Sequence, residues 1–303
     1  LLSGLTFLVL PQSVFPSSAA QGALGIECLK NRSDNGELLN KLKKMECTDT
    51  KDEVKREREK FNAYGGGCHL AVGIHVKKIG PYFLHIHRGV LNDLDVVYTQ
   101  LEGANRPKLN GPLKTFIGLP NFDDTLIEKL PHVRNLDTSA HYLVSSKYSI
   151  PSIDNETEYG SIWASGTKTM MELCKKGIWV HGCADGLGKK EVEHLLDSKA
   201  ISLMINSTLP LINLTHSDGE NALKTYTRKI NSVSKEFETK LNEAEIFYWS
   251  SYPQYECFVE KYPFIKNKIH AVGIGKTYRQ FKHEKIDVLP FYSLEEFNNW
   301  AKK

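Results

Sequence analysis

At 303 residues the chain has room for two or three domains, and 41% hydrophobic with 25% charged residues suits globular cores. A net charge of +3, with no basic run interleaved with aromatics, argues against a nucleic-acid surface. Six cysteines (28, 47, 68, 174, 183 and 257) lack metal-site spacing and predict reduced thiols in a cytoplasmic setting.

Residues 1–10 are apolar, without a basic start or a small-residue cleavage site, and too short to cross a bilayer. A buried strand or helix end is expected there, and no membrane association. Pro11, Pro16, Ser17 and Ser18 mark a loop. Residues 21–29 predict a strand in which Gly22 and Gly25 permit close packing. Leu38, Leu39 and Leu42 fall on one face of a helix ending near Met45. Residues 51–60, rich in Arg, Glu and Lys with opposite signs three or four apart, predict a second helix.

Gly65, Gly66 and Gly67 end that helix, because glycine enters positive φ without steric cost. Strands are predicted near 72–78 and 82–88. Cys68 therefore sits on a glycine loop that presents its thiol. The competing view of the same residues is an ordinary turn with a small buried cysteine. His69, His75, His85 and His87 gather here, and His85 and His87 share a strand face. Surface strand histidines are the commoner explanation, so no metal is assigned.

The run Gln21-Gly22-Ala23-Leu24-Gly25-Ile26-Glu27-Cys28, then Glu57-Arg58, then Gly66-Gly67-Cys68 resembles the porphobilinogen deaminase (hydroxymethylbilane synthase) family over residues 1–100. The resemblance implies that residues 1–42 are a remnant of that family's first two domains and 43–98 its C-terminal domain. It implies that Cys68 carries a dipyrromethane cofactor through a thioether, and that Gln21 and Gly22 lie near the substrate porphobilinogen. It also implies that the family's catalytic Asp and Arg cluster lie before Leu1. A carboxylate is needed to stabilise the cationic azafulvene formed when ammonia departs, so residues 1–303 alone are not expected to assemble bilane.

Residues 99–140, rich in Gly, Pro and Asn, predict a linker or degenerate lobe start with a short helix near 124–130. From His141 a pattern of strand, Ser-Ser, helix, strand, Gly/Thr turn, helix, strand occurs twice. The first copy holds Ser145-Ser146, Thr167 and Thr169, with a last strand at 178–180; the second holds Ser250-Ser251 and Lys276-Thr277. Hydroxyl caps and open helix N-termini at the ends of parallel strands suit an anion, although each turn alone is an ordinary helix cap. Asp185-Gly186-Leu187-Gly188 could be read as a phosphate loop, but its acid opposes that.

Residues 141–303 resemble the uroporphyrinogen-III synthase family, through Ser250-Ser251, Val272-Gly273 to Thr277, Tyr292-Ser293-Leu294-Glu295 and Tyr226-Thr227-Arg228. Ile274 stands where that family usually has Pro. The resemblance implies two α/β lobes joined by a two-stranded hinge. It also implies Tyr226 as a cleft acid and hydroxymethylbilane as the substrate, with no metal. The fold class expected is α/β: a small α+β cofactor-carrying domain followed by a two-lobed parallel α/β module, monomeric and cytoplasmic. The alternatives are a non-catalytic tetrapyrrole-binding scaffold and a small-anion binder.

Overall fold

The computed structural model describes residues 5–29, 31–34, 36–117 and 126–302. The chain divides into two units, Gln12–Asn105 and Leu1–Pro11 with Arg106–Lys303. Among the described residues, no helix is long and apolar enough to cross a membrane.

In the unit Gln12–Asn105, helices α1 (Glu37–Met45) and α2 (Thr48–Ala63) form where the sequence predicts them. Strands β1 (Val72–Ile79), β2 (Tyr82–Leu91) and β3 (Leu94–Glu102) follow as an antiparallel sheet in the order β1-β2-β3. Val72, Ile74 and Val76 point inward at alternate positions of β1 and pack with Phe61 of α2 and Tyr64 just after it. The sequence reading missed β3. Asn92 and Asp93, at φ 50° and 62°, make the tight two-residue turn that leads into it.

Two expectations in this unit are corrected. Residues 21–29 form no strand, because Pro16 and Ser17 reach the open edge of β1 instead: Ile74 N donates to Ser17 O at 2.8 Å. Leu24, Ile26 and Leu29 are left exposed. His85 and His87 are not surface histidines. Their partners across the ladder are Val76 and Ile74, so they share the inward face and are buried.

The other unit begins earlier than the sequence suggested. Residues 1–11 do not group with 12–42. Val9 N donates to His181 O at 2.8 Å, and the Phe7 ring meets His181 edge-on. Residues 5–10 form no regular element, with Phe7 and Val9 packed inward and Leu8 and Leu10 exposed. Residues 99–140, expected as a linker or degenerate lobe start, complete β3 and then supply β4 (Thr115–Phe116) and β5 (Ile127–Pro131). The helix expected at 124–130 is strand β5 from Ile127 onward, and its positions 124 and 125 lie outside the described residues.

The first lobe runs β6 (His141–Val144), β7 (Ser161–Ala164), α3 (Thr167–Cys174), β8 (Gly182–Cys183), α4 (Lys189–Leu196), α5 (Lys199–Ser202), β9 (Leu211–Thr215) and β10 (Ala222–Lys224). Its strands form a parallel sheet in the order β10-β9-β6-β7-β8. Both faces are covered, Tyr142 and Val144 packing in one core and Leu143 and Trp163 in another. The strand expected at 178–180 does not form. Ile178 and Val180 are buried in the core, and the pairing occurs at Gly182–Cys183. After Ser146 the chain takes a 3-10 turn, Lys147–Ser152, with Pro151 inside it rather than the expected α-helix.

β11 (Tyr226–Ile230) then pairs antiparallel with β5, so the chain crosses between lobes twice on one two-stranded ladder. The second lobe holds α6 (Lys235–Glu243), β12 (Ile246–Trp249), α7 (Tyr252–Lys261), β13 (Ile269–Gly273), α8 (Lys276–His283), β14 (Leu289–Phe291) and α9 (Leu294–Ala301). Its parallel sheet has the order β14-β13-β12-β4, so β4 from before the first lobe forms its edge. The fold is thus mixed α/β with parallel sheets.

Candidate functional site

In the unit Gln12–Asn105 the end of α2 builds a thiol-bearing turn. Gly66 N donates to Phe61 O at 3.0 Å, and Gly65, Gly66 and Gly67 take φ of 102°, 62° and 90°, a run that other residues hold only under strain. Leu70 N donates to Gly67 O at 3.2 Å, leaving Cys68 and His69 at the centre of the turn. Cys68 is exposed, and its thiol makes no hydrogen bond among the described residues. Cys183 is its opposite: burial, then the nearby Asp185, pushes that thiol up to about 12, which removes it as a nucleophile near neutrality. Cys47 is also exposed, with its thiol lowered by the hydroxyl of Thr50 at 3.2 Å.

Glu57 ties this turn's support together. Its carboxylate accepts Ala20 N at 2.7 Å and Val76 N at 2.9 Å, fastening the preceding segment to β1. Burial raises the Glu57 carboxyl despite those two bonds. Gln21 and Gly22 follow in an exposed turn, where the Gln21 side chain bonds locally by accepting Ser18 N at 3.3 Å.

In the two-lobed unit the predicted turns lie at the carboxyl ends of parallel strands, where ligands of open α/β sheets bind. After β6, Ser145 Oγ bonds the Asn213 side chain, and Ser146 Oγ caps the 3-10 turn by accepting Tyr148 N at 3.5 Å. After β7, Gly166 and not a threonine occupies the cap of α3, and Thr167 and Thr169 lie in its first turn. After β12, the Ser250 hydroxyl is taken by Gln254 Oε1 at 2.8 Å. Ser251 sits at the cap of α7 without using its side chain there. After β13, Gly275 caps α8, Lys276 is exposed, and Thr277 Oγ1 donates to Ser250 O at 3.5 Å. The expected hydroxyl cap is therefore realised only at Ser146; α3, α7 and α8 begin with no side chain on their first N–H groups.

Tyr226 opens β11 opposite Pro131 and is buried. Its ring lies 6.2 Å from Tyr148 and 6.0 Å from His216, the residue just after β9. Lys129 of β5 reaches over both tyrosine rings, with Nζ 5.8 Å from the Tyr148 centroid and 5.9 Å from that of Tyr226. Burial, then the positive charges of Arg228 and Lys147, holds the Lys129 ammonium below its ordinary range. Burial, followed by Arg228, Lys276 and Lys129, does the same to His216. Cations from the ladder and from the second lobe thus act on one imidazole.

Sequence reasoning named Tyr226, Lys276 and the serine turns as candidates, and it did not name Lys129, Lys147 or His216. Lys129 lay in the segment assigned to a helix. The alternation Ile127-Glu128-Lys129-Leu130, stopped by Pro131, was the available strand signal. No metal-holding group of three or more His, Cys, Asp or Glu occurs among the described residues.

No family model matches the chain. Over 69 residues it is 36% identical to a porphobilinogen deaminase of Nostoc sp., covering 23% of this chain and 20% of that protein. Over 67 residues it is 37% identical to a porphobilinogen deaminase of Desulforamulus reducens, covering 22% of this chain and 21% of that one. The chain spans about one fifth of the length of these curated relatives. A solved structure of uroporphyrinogen-III synthetase from Helicobacter pylori aligns with 62% of this chain and 97% of its own, at a TM-score of 0.41 and 14% identity.

Proposed function

We propose that this chain serves tetrapyrrole synthesis, as a cytoplasmic monomer that joins a deaminase cofactor domain to a module closing hydroxymethylbilane to uroporphyrinogen III. The observation that carries the proposal is the exposed Cys68 thiol on its glycine turn, in a chain that shares a segment with porphobilinogen deaminases. That site fits a thioether-linked dipyrromethane: the thiol is open, and the three residues before it have no side chains to obstruct a bulky group. The cofactor supplies the primer to which pyrrole units are added. The turn leaves the Cys68 thiol exposed, and Glu57 fastens the preceding segment to β1.

Support for the second activity comes from two parallel lobes on one ladder, with Tyr226 buried beside cations. Serine and glycine turns would orient a flexible polycarboxylate through amide and hydroxyl donors, and Tyr226 would protonate the departing hydroxide. Joining the two activities would raise the local concentration of an unstable intermediate.

The test has two arms. Intact-protein mass measurement on this chain joined to the deaminase catalytic domains is expected to show a dipyrromethane increment that survives Cys47→Ser and disappears in Cys68→Ser; a bare thiol at Cys68 there overturns the first half. Given hydroxymethylbilane, the chain is expected to yield the type III isomer. Type I alone reduces the two-lobed unit to a non-catalytic tetrapyrrole scaffold.

A further inference from the structure

Two cations stand side by side on the ladder face that carries Tyr226. Lys129 and Arg228 are direct cross-strand partners. Residues so paired project from the same face with Cβ atoms about 5 Å apart, an arrangement that is destabilising for like charges. Nothing in the described residues relieves it. Arg228 Nε is buried without a hydrogen-bond partner, and its guanidinium makes no ion pair among the described residues. Lys129 Nζ has aromatic rings near it but no carboxylate among the described residues.

The nearest acid in the ladder is turned away. Glu128 is one position from Lys129 on β5, so the pleat sends it to the opposite face. There it accepts Asn231 Nδ2 at 3.2 Å and lies 4.0 Å from Lys229 Nζ. On the inner side the charge only accumulates: Lys147 Nζ lies 5.5 Å from the Tyr148 centroid, and Lys276 acts on the same imidazole as Lys129 and Arg228. A half-buried pair of cations with an orphaned N–H, flanked by two tyrosine rings, has no counter-ion among the described residues.

We propose that Lys129 and Arg228 form a carboxylate clamp on the ladder, which takes one carboxylate of a polycarboxylate ligand while Tyr148 and Tyr226 flank its carbon skeleton. The ligand's identity as a tetrapyrrole rests on the function proposed above; the clamp rests on the ladder register and the unpaired cations.

The experiment uses the full chain and its Lys129→Met, Arg228→Met and Arg228→Lys variants, titrated with two probes, citrate and uroporphyrin I. Binding is read by thermal shift for citrate and by tryptophan fluorescence quenching for uroporphyrin I. Each methionine variant is expected to bind a probe at least about tenfold more weakly than wild type, as loss of a charge-assisted bond predicts. Arg228→Lys should recover most of that loss, and the ligand-free methionine variants should melt no lower than wild type because the repulsion is gone. Citrate binding that vanishes in the methionine variants, without uroporphyrin binding by wild type, supports the clamp and rejects the tetrapyrrole. Uroporphyrin binding equal in wild type and both methionine variants rejects the clamp alone. Wild type that binds neither probe overturns the proposal.

Discussion

The backbones of Gly275 and Gly186 meet so closely that a Cβ added to Gly275 would stand 2.6 Å from the Gly186 carbonyl oxygen. Gly275 enters α8 of the second lobe, and Gly186 lies in the turn after β8 of the first. The two lobes therefore touch through turns that only glycine lets approach. Gly275→Ala should force those turns apart at a cost of about 1–3 kcal/mol, the usual range for inserting a methyl into a packed contact. Urea unfolding checks this, with small-angle scattering as a measure of lobe separation. Gly25→Ala, whose added Cβ meets nothing within 4 Å, serves as the neutral control.

Tyr226→Phe keeps the ring between Tyr148 and His216 and removes only the hydroxyl. If that hydroxyl is the acid of ring closure, kcat for the type III isomer should drop about a hundredfold with little change in KM. Stopped assays that separate the isomers measure it; an unchanged kcat dismisses Tyr226 as the acid.

Glu57→Ala should be among the most damaging single changes in the unit Gln12–Asn105. It strips acceptors from Ala20 N and Val76 N, the latter in a buried bond. Leaving buried donors unpaired costs about 1–3 kcal/mol each, so a total near 2–5 kcal/mol is expected in denaturant titration. The segment preceding α1 should also lose its protection from amide exchange.

Acid should weaken the same unit. Burial, with smaller contributions from His85, Lys60 and Arg88, holds His87 at about 4, against 6.5 for an unperturbed imidazole. Between those values the unfolded chain binds more protons than the native one, so stability is complete above about pH 6.5 and falls as pH drops toward about 4. The loss amounts to about 3 kcal/mol for this group. Denaturant midpoints measured across that window should slope for wild type and flatten in His87→Gln.

Much of the small unit was legible because its signals are local. A charged helix, a glycine run that stops it and an alternating strand after it are each decided by a few neighbouring residues. Residues 21–29 look just as strand-like, yet a strand needs an edge to pair with, and Ser17 already occupies that of β1. β4 is two residues long, and its only reason to be extended is β12, far along the chain. No window around Thr115 carries that information. The candidate site divides the same way: Cys68 is legible from the glycines before it together with a family resemblance, and Tyr226 from a resemblance in its own short motif. The Lys129–Arg228 pairing exists only once the register of two distant strands is fixed.

The origin of β4 also bears on how the molecule is made. Lys114 N donates to Glu245 Oε2 across 131 positions of sequence. Leu113 and Ile117 belong to the core that Phe291 and Phe297 close. On the ribosome these early residues must wait, uncovered, while the intervening lobe is synthesised and folds. Grafting the segment around β4 behind α9 would give the nascent chain a lobe it could finish in one uninterrupted stretch.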